Sequence, residues 1–259
     1  MRAILAPLHR RIADSAAVWN VPATLALTVF WAPIVGSMLF IVARLDKSFY
    51  RMMLEEDGPV EWIQFLCFLT AGVAAVGIAR YRHAAGFHRQ AAFFVLFALG
   101  MFFISGEEIS WGQRLLGIET PKYLEAVNKQ GEITLHNVGS ALKVFRLGMF
   151  CVALVSGMAF LWNKTLKVGN FLDDGDYLFA PPLILAPTFM VMVIYRTMRA
   201  TVLTERGFTL TAYAEWCELC LAFGLFSFAA LNFRRYALQT HAACDVEPSL
   251  AVSETAGAG

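Results

Sequence analysis

The chain has 259 residues, 58% of them hydrophobic and only 16% charged, with a formal net charge of +1. With a mean hydropathy of +0.57 this composition excludes an ordinary soluble domain, because runs of roughly 20 apolar residues read as membrane spans. The near-neutral charge gives no hint of a nucleic-acid partner.

At the N-terminus, His9, Arg10, Arg11 and Asp14 precede the first long apolar run. No small-residue cleavage site follows a short apolar core there, so this segment is not read as a cleavable signal. Six apolar runs then predict an all-α polytopic bundle, with spans over residues 23–43, 62–79, 91–105, 147–162, 177–195 and 219–233. The third and sixth can extend through their acidic ends to Trp111 and Thr211. Pro181, Pro182 and Pro187 predict a kink in the fifth. Between the third and fourth, Thr120-Pro121 predicts the start of a short helix that ends at Gly131. A second helical stretch over residues 132–146 then leads into the fourth span, so the connection lies on the membrane surface. The small, polar residues 240–259 read as a disordered tail, which leaves one integral-membrane domain over 1–239.

An even number of spans puts both termini on one side. Lys and Arg divide almost evenly between the two sides, so the positive-inside rule says little. The loop over residues 80–90 holds Arg80, Arg82 and Arg89 and no acid, and is read as cytoplasmic, with the termini. Cys67, Cys151, Cys217 and Cys220 lie in apolar runs, where a disulfide framework is not expected. Cys217 and Cys220 form a CxxC that points away from Glu215 and Glu218 on a helix, and is read as packing. Asp173, Asp174 and Asp176 read as a solvated turn, since they lack the spacing of a calcium loop.

Four stretches carry carboxylates at one edge of the lipid: EEDGPVEW from Glu55, GEEISWGQR from Gly106, QGEITLHN from Gln130, and EWCE from Glu215. Residues 91–106 make about 24 Å of helix, which leaves Glu107 roughly one turn short of the far edge of a core about 30 Å thick. Residues 219–233 bring Glu218 to a similar depth from the same side, and Glu61 lies nearer the interface. A charge at that depth is costly, so it reads as functional. Helical phase adds to this: Glu107, Trp111 and Arg114 fall on one stripe, as do Glu215 with Glu218 and Glu61 with Gln64. Glu132 and His136 have the i, i+4 spacing at which a carboxylate and an imidazole can hold one metal. A structural ion-pair network, with Arg114 neutralising Glu107 or Glu108, is the competing reading. It is preferred for Glu55, Glu56 and Asp57, which lie outside the lipid core. Trp62, Trp111 and Trp216 fit an interfacial aromatic belt.

The segment GEEISWGQRLLGIETPKYLEAVNKQGEITLHN resembles a stretch found in bacterial polytopic inner-membrane proteins of uncharacterised activity, which also carry GEEISWGQR, ETP, QGE and LHN. The resemblance implies a bacterial inner-membrane location. It marks Glu107, Glu108, Gln113, Arg114, Gln130, Glu132, His136 and Asn137 as motif positions.

The expected function is a membrane-embedded, metal-dependent hydrolase or transferase acting on a lipid or isoprenoid-linked substrate. Glu107, Glu108, Glu132, His136, Glu215 and Glu218 are the candidate ligands of a divalent ion. Glu107, Glu108, Arg114 and Glu218 are the candidate catalytic residues, a spare carboxylate serving as base and Arg114 gripping an anion. Glu61, Gln113, Gln130 and Asn137 would surround and orient them. Two other readings stay open: a cation- or proton-coupled transporter or channel, and a non-catalytic subunit or assembly factor.

Overall fold

The computed structural model describes residues 2–55, 58–128, 131–135, 138–159, 161, 180–203 and 207–255, and among these no strand occurs. Side chains of residues 2–5, 114, 139, 140 and 238–255 lie outside the description. The first helix, α1 (Arg2–Val18), was not expected from the sequence. It buries Ile12 and Ala16, four residues apart, in the main core beside α2 (Ala23–Ala43). A short helix α3 (Lys47–Leu54) is capped by Asp46, whose carboxylate accepts the Ser48 and Phe49 amides at 3.0 and 3.1 Å. Helix α4 (Pro59–Ala84) starts with proline in its first turn, where the missing N–H costs nothing. Helix α5 (His88–Glu108) returns beside it. The one-turn helices α6 (Gln113–Leu116) and α7 (Lys122–Glu125) precede α8 (Gly139–Gly157), α9 (Ala186–Thr201) and α10 (Phe208–Thr255).

Among the described residues, five stretches are long and apolar enough to cross a membrane: Ala23–Ala43, Lys47–Ala84, His88–Glu108, Leu183–Thr201 and Phe208–Ala237. The expected fourth span is not among them. It is helical as α8 over Gly139–Gly157, but its first two turns carry Lys143 and Arg146, and residues 162–179 lie outside the description. Asp173, Asp174 and Asp176 fall in that gap.

Three local expectations are corrected. The prolines do not kink a span: Pro181 and Pro182 precede the helical residues, and Pro187 lies in the first turn of α9. The connection between α5 and α8 is not two helices. Among the described residues the first helix covers only Lys122–Glu125 and does not reach Gly131, residues 131–135 form bends that begin at Gly131 with a φ of 69°, and the second stretch is helical only from Gly139, where it is the start of α8. The backbone of α10 runs on to Thr255, into residues whose small polar composition predicted disorder.

The packing core is α4 with α5 along their length, and α10 laid against α4. Ala71, Gly72, Ala75 and Ala79 let these backbones approach closely. Gly36 of α2 is required for the same reason, since a Cβ there would run into the Trp216 ring. Between Gln64 near one end of α4 and Asn232 near the far end of α10, the interior is Phe68, Ala71, Ala75, Phe94, Leu221 and Phe228, all buried. Large apolar side chains such as Leu39, Val73, Leu96 and Leu99 point outward, as a bilayer permits. Cysteines replacing Glu55 and Lys122 should label from one side of the membrane, and one replacing Ala85 from the other. Labelling of Glu55→Cys and Ala85→Cys by the same impermeant reagent would contradict α4 as a span.

Candidate functional site: a carboxylate cluster at one end of the bundle

The site is built on the way α5 stops. After Glu108 the backbone turns left-handed for three residues, Ser110, Trp111 and Gly112, with φ of 48°, 54° and 77°. For each of the two non-glycine residues this costs on the order of 1–2 kcal/mol. Tertiary bonds hold the turn. The Trp111 indole folds back over Gly106, where a Cβ would come within 2.8 Å of the ring. Its Nε1–H donates to Glu107 Oε1 at 2.7 Å, and the Leu135 amide donates to Glu107 Oε2 at 2.8 Å. The Ser110 hydroxyl donates to Glu132 Oε2 at 2.7 Å. Gln113 accepts the Ile133 amide at 2.7 Å and donates to the Thr120 hydroxyl at 2.5 Å, which in turn donates to the Gly131 carbonyl. Asn128 donates to the Thr134 carbonyl and hydroxyl at 2.8 and 3.0 Å. The motif is therefore a clasp that pins residues 131–135 onto the end of α5. Trp111→Phe removes a charge-assisted bond from this clasp and should lower stability by about 1.5–3 kcal/mol in thermal or denaturant unfolding. Wild-type stability would show the indole bond to be idle.

Glu108 is the carboxylate that these bonds leave unused. It sits within electrostatic range of Glu218 and Glu215 on α10, Glu61 on α4 and its neighbour Glu107. Three helices thus bring carboxylates to one end of the bundle, as the depth argument expected. Gln64, fully buried, fixes α4 to α10 there by donating to the Glu215 carbonyl at 2.7 Å. Arg196 of α9 closes on Glu218 at 2.9 Å, with both side chains mostly buried. The Arg146 guanidinium lies within range of Arg196, Glu218 and Arg199. The Tyr195 ring lies 5.6 Å from the Arg196 guanidinium, and its hydroxyl donates to the Leu210 carbonyl at 2.6 Å.

The expected ligands divide. Glu61, Glu108, Glu215 and Glu218 come together. Glu107 is only 1% exposed and both its oxygens accept clasp bonds, so its chief role is structural. Glu132 lies in a bend and its carboxylate holds Ser110. The stripe through Trp111 and Arg114 is likewise not one helix, because α5 ends at Glu108. The Arg114 side chain, Gln130, His136, Asn137, Glu56 and Asp57 lie outside the description. Among the described residues, no three His, Cys, Asp or Glu side chains could hold one ion. Cys217 and Cys220 are buried free thiols.

Arg196 and Arg146 were missed. The signal was present: each sits at the outer end of an apolar run, at the depth that singled out the glutamates. No protein-family model, no curated protein and no solved structure matches the chain.

Proposed function

We propose that this chain is a membrane-embedded hydrolase or transferase acting on a lipid or isoprenoid-linked substrate that bears a phosphate. The observation that carries this reading is Glu108: it closes α5, is left out of the clasp beside it, and is turned among Glu61, Glu215 and Glu218 from two other helices. Carboxylates within electrostatic range of one another favour a shared proton or a nearby cation. A carboxyl group in that state is suited to general acid–base work at the leaving or attacking oxygen. Arg196 and Arg146 beside Glu218 supply the positive charge a phosphoryl group requires. Glu218 orients Arg196, and Glu107, Gln113 and Glu132 hold the scaffold.

A divalent ion is the cofactor we propose. Ions of the Mg²⁺ type commonly bind through one or two carboxylates completed by substrate phosphate. That requirement fits a cluster in which no three described side chains reach one ion. Glu108 and Glu218 would hold it, and it would neutralise charge on the phosphate. The setting is a multi-pass protein of a bacterial inner membrane, with α8 as part of a sixth span, cytoplasmic termini and the cluster on the outer face.

The transporter reading finds little support in the bundle's middle. About 25 Å of helix separates the level of Glu215 from Asn232, by the rise per residue. The buried side chains between them are apolar apart from Thr188, whose hydroxyl donates to the Leu185 carbonyl at 2.6 Å. An assembly factor would keep the cluster without turnover.

The test is turnover of a long-chain polyprenyl diphosphate by purified protein, with metal content measured in parallel. The expected result is divalent-ion-dependent product formation with about one or two ions per chain when substrate is bound. Glu218→Gln should reduce both, and Glu55→Gln neither. Full activity after complete metal removal would overturn the metal proposal. No change in the lipid profile of a strain lacking the protein would overturn the enzyme.

A further inference from the structure

A cavity of about 460 Å³ lies between α2, α3, α9 and the start of α10. Glu215, Glu218 and Arg196 do not line it. Its chemistry follows from where the wall's hydroxyl protons go. Tyr50 donates to the Thr209 carbonyl at 2.9 Å, Tyr195 to the Leu210 carbonyl at 2.6 Å, and Tyr213 to the Ser37 carbonyl at 3.3 Å. The Ser37 hydroxyl donates to the Pro33 carbonyl at 2.7 Å. A hydroxyl has one proton to give. These four give theirs to the protein's own backbone, and what they present to the cavity is ring and methylene surface. The remaining wall is largely apolar, with Ile34, Ile194 and Met198 among its side chains. Apart from the Thr209 hydroxyl, a polar small molecule would find few donors there except at the rim.

The rim carries Arg44, which follows the last residue of α2 and is exposed. Span geometry therefore puts its guanidinium at headgroup level. The carboxylate nearest in sequence, Asp46, is spent on the amides of Ser48 and Phe49. An apolar trough beneath an available guanidinium at the headgroup boundary complements one kind of occupant. We infer that this groove binds an anionic phospholipid, with a hydrocarbon chain in the trough and its phosphate on Arg44. The site is separate from the carboxylate cluster and does not depend on the function proposed for it. It would anchor α2 and α3 to α9 and α10 through a lipid.

The experiment is native mass spectrometry of the purified full chain loaded with phosphatidylglycerol or with phosphatidylcholine of the same chain length. Wild type should retain phosphatidylglycerol about fivefold better, the advantage one basic residue gives near an anionic lipid. Arg44→Gln should equalise the two lipids, and Arg44→Lys should keep most of the difference. Ile194→Trp, at a position 54% exposed and so tolerant of a larger ring, should reduce retention of both by filling the trough. Soluble glycerol phosphate should not compete, and Glu108→Gln should retain lipid as wild type does. Equal retention of the two lipids by wild type would overturn the inference. So would undiminished retention in a folded Ile194→Trp variant. Competition by glycerol phosphate would mark a free-anion site instead.

Discussion

Glu108→Gln is expected to lower turnover of a polyprenyl phosphate substrate by about two to four orders of magnitude, the usual worth of a positioned acid–base group. The fold should survive, because the clasp bonds run through Glu107, Ser110, Gln113 and Glu132 instead. Glutamine keeps the shape and takes one ionisable group away from Glu61, Glu215 and Glu218, so thermal stability should stay level or rise. Glu107→Gln should behave oppositely. An amide cannot both accept from Trp111 and accept equally well from Leu135, so stability should fall before any direct effect on chemistry. The pair is informative because the two residues are neighbours with separate tasks. A Glu108→Gln enzyme with wild-type kcat would exclude Glu108 from the reaction.

Arg196→Ala should be the most destabilising single change at the cluster. The Arg196–Glu218 contact is 2.9 Å, with side chains 15% and 17% exposed. Removing one partner of a buried pair costs about 3–5 kcal/mol. The residual exposure places this pair at the low end. The loss should be recovered in large part by adding Glu218→Gln, which removes the charge left behind, and Arg196→Lys should retain part of the stability. Unfolding of the two single variants and the double variant gives the coupling directly. If Arg196→Ala alone is neutral, the pair is solvated and Glu218 needs another partner.

The spans were readable because hydrophobicity and length are local properties. Residues 23–43 were bounded to the residue, since Pro22 and Arg44 flank an uninterrupted apolar run. The expectation that Glu107 and Glu218 lie at similar depth came from the sequence because helical rise is fixed. Helical phase beyond Glu108 was not. The turn at Ser110 and Trp111 exists because Glu132 and Leu135 bond to it, and those partners are invisible to a local pattern. Gly106 and Gly112 were the available clues, one admitting the indole and the other a φ of 77°. Glu132 stands in a bend, where an i, i+4 spacing does not define a shared face, and His136 lies outside the described residues. Arg196 went unread because the search for depth was made on acids alone.

The clasp also imposes an order on biosynthesis. Glu107 accepts from an amide 28 residues further along the chain, and Glu218 belongs to the final helix. When α5 first meets the translocon, neither has been made. Glu107 and Glu108 then enter the membrane boundary before the Leu135 amide that Glu107 accepts in the finished fold, a state that favours protonation or a shallow position. Emergence of residues 131–135 would supply the acceptors' donors and draw the end of α5 to its final depth. A ribosome-stalled chain ending before Gly131 should accordingly hold α5 closer to the aqueous boundary than one ending after α8.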